Sequence, residues 1–248
     1  MNIGIDLDGV LTNFNEFCMS YGTKYASEIG KGKIVNSKGY ESIEIFSWDI
    51  QTDMQFWEKY NSKYAEEEKP RPFAKEVLDK LKADGHNIYI ITARASEFED
   101  IEAQSKMQDM VKNWFVNNEL YYDELIFSTV NKLENCRENN IDIMIEDSPH
   151  NIKQLAEFLP IMCFDTRYNK NCEGRNIIRV YSFYDIYEKI KEFEKKCSKK
   201  RLSFILGYVN QQYCITQSGH LKYNSVNTIQ KKIAIAYYFF YRHHCNVS

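Results

Sequence analysis

Ile3-Gly4-Ile5-Asp6-Leu7-Asp8-Gly9-Val10-Leu11 is the stretch that decides the fold. An apolar run ending in two alternating carboxylates reads as a buried strand. Its period of two carries Asp6 and Asp8 to one side at the carboxyl end, and Gly9 lets the chain turn away at once. Parallel α/β sheets hold their ligands at that end of the strands. Paired carboxylates there suit phosphoryl transfer, one attacking phosphorus or binding metal while its neighbour moves protons.

From Pro72 onward strand and helix patterns alternate, which indicates an α/β fold with a parallel sheet and helices on both faces. Phe73, Val77, Leu78 and Leu81 recur at helical spacing and Gly85 closes that helix; 86–91 then reads as a buried strand with Thr92 at its end. Ser96 with Glu99 forms a capping-box pattern for a long helix carrying Ile101, Met110, Val111, Trp114 and Phe115. Strands are expected at 124–127, 141–145, 161–164 and 177–180, with short helices after Lys132 and after Ser148-Pro149 and a final helix over 182–196. The acidic pair Glu146-Asp147 thus falls in a strand-to-helix turn.

Residues 13–70 interrupt this alternation. They are aromatic and polar, with helices expected around 13–29 and 53–68, and form an insertion between the first strand and the rest of the sheet. Phe14, Trp48, Phe56 and Trp57 are candidates for stacking on a base, with packing in a small core of the insertion as the competing reading.

The 248 residues carry a net charge of −3 that hides two unlike segments: residues 197–248 contain 7 Lys and Arg and no acid, which leaves −10 on residues 1–196. The basic segment reads as a solvated extension, as a docking surface for an anionic partner, or as a sequence with no evolved fold. Seven scattered cysteines without C-x-x-C spacing point to a reducing cytoplasm and away from a disulfide framework. The longest apolar run, Ile233 to Tyr241, is about half of what a bilayer crossing needs.

The first stretch resembles the opening signature D-x-D-G-[VT]-[LV] of the haloacid dehalogenase superfamily of aspartyl-phosphate phosphohydrolases. Ile90-Ile91-Thr92-Ala93-Arg94 is similar to its second signature, Lys132 in Asn131-Lys132-Leu133 to the third, and Ile143-Met144-Ile145-Glu146-Asp147-Ser148 to the fourth, in family order and spacing. Phe164-Asp165-Thr166-Arg167-Tyr168-Asn169, followed by Ile177-Ile178-Arg179-Val180, resembles the end of bacterial nucleotidases related to 5'(3')-deoxyribonucleotidases. The resemblance spans residues 1–196. Only the D-x-D-G start and the E-D-S-P block are specific alone; Thr92 or Lys132 taken singly reads as an ordinary strand end or a solvated lysine.

The resemblance implies a catalytic core of residues 1–12 and 71–196, a small helical cap of residues 13–70 over the active site, and a Mg²⁺-dependent phosphatase acting on a small phosphate monoester, a nucleotide above all. Asp6 would be the nucleophile and Asp8 the general acid and base. Mg²⁺ would be held by Asp6, Asp147 and the backbone carbonyl of Asp8. Thr92 and Lys132 would bind and neutralise the phosphoryl group. Asn151 would orient a metal-bound water or Asp147, and Glu146, where many relatives carry Asp, either reaches the metal through water or supports Lys132. Arg94 is a candidate substrate contact, with a surface ion pair as its alternative. Sugar phosphates and phosphorylated polynucleotide ends are competing substrates, and a non-catalytic receiver-like module is the alternative of another class; its phosphoacceptor would lie on a later strand.

Overall fold

In the computed structural model, residues 1–196 are described except 97, 129 and 130. The opening apolar run becomes strand β1 (Asn2–Ile5), with Ile3 and Ile5 fully buried. Five further strands follow among the described residues: β2 (Asn87–Thr92), β3 (Glu124–Phe127), β4 (Ile143–Glu146), β5 (Ile161–Phe164) and β6 (Ile177–Val180). All pairings are parallel, in the order β3-β2-β1-β4-β5-β6. The expected α/β sheet is therefore present. Strands β4 and β5 are buried along their whole length, as in sheets covered on both faces.

Strand order reverses at β1, since the chain builds outward through β2 and β3 and then returns to β1's other side with β4. Register places Ile5 opposite both Ile90 and Ile145. The carboxyl ends of β1, β2 and β4 therefore open on one crevice, the usual ligand position in such sheets.

Helix α4 (Ala74–Ala83) buries Val77, Leu78 and Leu81 and is followed by Gly85 at φ 84°, as its pattern predicts. The long helix α5 (Ile101–Asn117) corrects the expected capping box. Asp100 caps it, accepting from the Ala103 N–H at 2.8 Å, while the Ser96 hydroxyl turns back to the Ala93 carbonyl. A charged cap also complements the helix dipole, which favours Asp100 over Ser96. Helix α6 (Lys132–Glu138) is capped by Asn131, and α7 (Pro149–Leu155) begins at Pro149 with Ser148 at the cap position, though the serine side chain makes no capping bond.

The insertion folds as α1 (Phe14–Ile29), α2 (Ser42–Phe46) and α3 (Ile50–Glu67). Helix α3 starts three residues before its expected position because Asp49 caps it through the Thr52 N–H. These helices carry an aromatic core of their own, including Phe17, Tyr25, Phe46, Trp48, Phe56 and Tyr60. At the neck, the Arg71 N–H donates to the Leu11 carbonyl at 2.7 Å, so the insertion leaves and rejoins the sheet at one place.

Residues 1–186 form one compact unit. Residues 183–196 are helical; the basic segment 197–248 lies outside the described residues. No helix among the described residues is long and apolar enough to cross a membrane, and Cys18, Cys136, Cys163 and Cys172 are free thiols.

Candidate active site

Ladder pairing of β1 ends at Ile5, but Asp6 and Asp8 both keep extended backbone angles beyond it. The chain then makes a wide turn over Leu7–Leu11, closed by the Thr12 N–H on the Leu7 carbonyl at 3.0 Å. Gly9 turns at φ 83°, and a Cβ there would lie 1.8 Å from the Asp147 carboxylate. Both the backbone conformation and the close approach of Asp147 require glycine at this point.

Asp6 is almost wholly buried. Its Oδ1 accepts from the Leu7 N–H at 2.8 Å and lies 2.7 Å from Lys132 Nζ. Lys132, at the start of α6, is equally buried and stands 3.4 Å from Glu146. Burial alone would lower the lysine's pKa, but the charges of Asp6 and Glu146 raise it above the ordinary range, so Lys132 is a fixed cation. Thr92, at the end of β2, accepts the Arg94 N–H at 3.1 Å through Oγ1, which leaves its own hydrogen to donate.

Ligand oxygens of Asp6, Glu146 and Asp147 all lie within 4.8 Å of one another. Asp147 Oδ1 is buried and has no hydrogen-bond partner among the described residues. Burial, with the neighbouring Asp6 charge, pushes the Glu146 and Asp147 carboxyls upward. An oxygen-only trio with an unspent buried acceptor fits a hard divalent cation. Glu146 both reaches this trio and contacts Lys132, so its longer side chain serves two contacts. Asn151 donates to Glu146 Oε1 and not to Asp147.

Asp8 stands apart from the acidic trio. Its carboxylate accepts from Arg94 Nε at 3.2 Å, from the second Arg94 amine and from the Tyr64 hydroxyl at 2.6 Å. Burial pushes its pKa up, yet the Arg94 charge, helped by the Arg94 and Tyr64 hydrogen bonds, more than offsets this and holds it below the ordinary value. The guanidinium lies over the Tyr64 ring, 4.6 Å from its centroid, and Nη1 has no hydrogen-bond partner among the described residues. Arg94 is thus no surface ion pair: its side chain is 7% exposed.

A cavity of about 740 Å³ is lined by Asp6, Asp8, Arg94 and Lys132 and, from the insertion, by Phe14 and Trp57. Phe14 and Trp57 stack on each other, with centroids 5.7 Å apart and planes 2° apart. The other two candidate stacking residues are corrected: Trp48 and Phe56 are buried in the cap's own core, Phe56 at 0% exposure. Helical spacing explains it, since Phe56 shares with Tyr60 and Tyr64 the face of α3 that packs inward.

Sequence reasoning assigned no role to Tyr64 or Tyr168, whose hydroxyls hold Asp8 and Asp147. Tyr64 continues the apolar stripe of α3, and nothing local distinguishes a tyrosine that packs from one whose hydroxyl reaches a carboxylate 56 residues away. Tyr168 lies inside the quoted Phe164–Asn169 stretch, which was the available signal.

A family model described as 5' nucleotidase, deoxy (pyrimidine), cytosolic type C matches residues 1–196. A nucleotidase of Clostridium acetobutylicum is 29% identical over 192 residues, covering 75% of this chain and 92% of that protein. Among solved structures, a haloacid dehalogenase-like hydrolase from Xanthomonas campestris superposes with a TM-score of 0.51 at 11% identity, over 80% of this chain and 98% of that one. A β-phosphoglucomutase of Clostridium difficile does so with a TM-score of 0.50 at 17% identity, over 77% and 95%. These two likenesses establish the fold.

Proposed function

We propose that this chain, which belongs to the cytosolic type C 5' nucleotidase family, hydrolyses nucleoside monophosphates through an aspartyl phosphate on Asp6. Membership makes it a phosphoric monoester hydrolase and removes the receiver-like alternative. The observation that carries the finer reading is that one cavity is lined both by Asp6, Asp8 and Lys132 and by the paired rings of Phe14 and Trp57.

Asp6 Oδ1 is occupied by Lys132 and the Leu7 N–H, and we assign attack on phosphorus to Oδ2. An O–P bond forms to Asp6 as the ester O–P bond breaks, and Asp8 passes a proton to the departing alkoxide. Asp8 then takes a proton from water, whose oxygen displaces the Asp6 carboxylate from phosphorus. The Arg94 and Tyr64 contacts hold Asp8 ionised in the free site, so it takes up a proton from solvent before the first step, and the ionised form that these contacts favour is the one the second step needs. The Thr92 hydroxyl donates to a phosphoryl oxygen, and the Lys132 ammonium stabilises its charge throughout. Asp6, Asp147 and Glu146 would hold Mg²⁺, which when bound supplies positive charge against the repulsion between these carboxylates and a phosphate dianion. The cytosolic description of the family supports the cytoplasm as its place of work.

The test is phosphate release across 5'- and 3'-(deoxy)ribonucleotides, sugar phosphates and a phosphorylated oligonucleotide, with and without Mg²⁺. Nucleotides are expected to lead the panel; preference for sugar phosphates or oligonucleotide ends would overturn the substrate class while keeping the chemistry. Within that panel Trp57→Ala is expected to raise the KM for nucleotides about 5-fold or more, the worth of one stacked base. The effect on a small aryl phosphate should be smaller. Equal losses on both, with a lowered Tm, would mean that the indole only packs.

Stability should follow pH in a definite direction. The Glu146 and Asp147 pKa values are raised on folding, so their contribution is fully present below the unfolded values of about 4 and is lost as pH rises through the folded ones. Without divalent cation, Tm is therefore expected to fall on this account between pH 5 and pH 9 (roughly the span set by those shifts). Mg²⁺ should restore it, and by more at the alkaline end, where fewer protons compete. A Mg²⁺ effect on Tm of the same size at every pH would contradict the assigned ligands.

A further inference from the structure

We infer that Tyr168 is a positioning residue for Asp147, and that Tyr40 of the cap holds Tyr168 in place, so that the seat for a cation is set partly by the cap. This rests on the reading of Asp147 as a cation ligand. The two oxygens of Asp147 are treated differently: Oδ2 accepts the Tyr168 hydroxyl, while Oδ1 has no partner among the described residues. A carboxylate pinned by one oxygen presents the other in a fixed direction. An unpinned one must be ordered by the ion itself, at a cost in affinity.

The support behind Tyr168 is built into the loop after β5. Asn169, fully buried, donates to the carbonyls of Asp147 and Phe164, both at 2.8 Å, and so ties the loop to the strand end that carries the ligand. Arg179 on β6 fixes the loop in turn, donating at 3.0 Å to the side chain and to the carbonyl of Asn169 and at 2.9 Å to the Cys172 carbonyl. The tyrosine ring itself is not held by this network. Its edge contact is Tyr40, with centroids 5.0 Å apart and planes at 74°, a favourable aromatic geometry. Tyr40 belongs to the segment between α1 and α2, hence to the cap, and lines the catalytic cavity. One chain of contacts thus runs from the cap, through two rings and a hydroxyl, to a carboxylate of the acidic trio.

The experiment titrates Mg²⁺ into the full-length protein, stripped of cation, by calorimetry at fixed pH, alongside Tm without cation. Tyr168→Phe keeps the ring and deletes the hydroxyl; it is expected to weaken Mg²⁺ binding about 10-fold or more, as loss of a hydrogen bond to a ligand does. Tyr40→Leu keeps the hydroxyl bond but frees the ring, and should weaken binding to a lesser extent. Unchanged or tighter binding by Tyr168→Phe overturns the inference, because the hydroxyl would then be idle or a competitor of the ion. If Tyr168→Phe does not fold, Tyr40→Leu decides, and wild-type affinity in that variant overturns the cap link. Wild-type protein that takes up no Mg²⁺ refutes the cation reading and this inference with it, whereas binding by wild type with no change in either variant refutes this inference alone.

Discussion

Asp6→Asn protein is expected to retain its fold and lose phosphate release by at least about 10²-fold, the scale of a removed catalytic group. An amide oxygen is a far weaker nucleophile than a carboxylate, and it carries no charge toward a cation. The fold should survive because Asn can still accept the Leu7 N–H, and Lys132 keeps Glu146 at 3.4 Å as a counter-charge. Substrate should still enter, since Thr92, Arg94 and the paired cap rings are untouched. The loss should therefore fall on kcat far more than on KM. Acid-quenched protein after brief exposure to a labelled substrate should carry label on the wild type and none on the variant. Near-normal turnover by pure Asp6→Asn protein would sink the covalent mechanism.

How much of this site could be read from sequence depends on what holds each residue. Asp6, Thr92 and Asp147 sit at the carboxyl ends of strands, and strand ends are legible because an apolar run stops there. Parallel register then brings the ends together without further information: Ile5 faces Ile90 and Ile145, and the polar residues beyond them must converge. Lys132 is legible only through family order, since a lysine opening a short helix has no pattern that announces burial between two acids. Asp8 follows from the same alternation, but its partners do not. Arg94 follows β2 and Tyr64 lies on α3, and pairing across the sheet and cap is a tertiary fact that periodicity does not encode.

The cap was the least legible part. Its aromatics recur at spacings that serve equally for a core and for a binding wall, and only packing separates Trp48 and Phe56, which face inward, from Phe14 and Trp57, which reach the cavity. The start of α3 moved because a side-chain cap, Asp49, outweighs the propensity of the three residues after it. The same cause shifted the cap of α5 from Ser96 to Asp100. Boundaries follow single hydrogen bonds, whereas the existence of a helix follows the summed burial of a face.

Lys132→Met is expected to be the most destabilising change at the site as well as an inactivating one. Its ammonium stands 2.7 Å from Asp6 and 3.4 Å from Glu146, and lysine and glutamate are both withdrawn from water. Methionine fills the volume of the stem but leaves three converging carboxylates without a cation. Removing one partner of such a buried arrangement costs about 3–5 kcal/mol. The protein can relieve part of that cost by taking up protons, because burial and the Asp6 charge already raise the Glu146 pKa and loss of Lys132 removes an opposing influence. The sign follows: the deficit relative to wild type should be smallest at low pH, where the acids are protonated in both folded and unfolded chains, and should grow as pH rises through the raised values. Mg²⁺ should recover stability by replacing the lost charge, yet activity should stay low, because the Nζ that would face the phosphoryl group is absent. Denaturant unfolding of wild type and variant across this pH range, with and without Mg²⁺, checks both statements. A deficit that ignores pH and Mg²⁺ alike would show that Lys132 matters for packing, and that its charge is not what holds the acidic trio together.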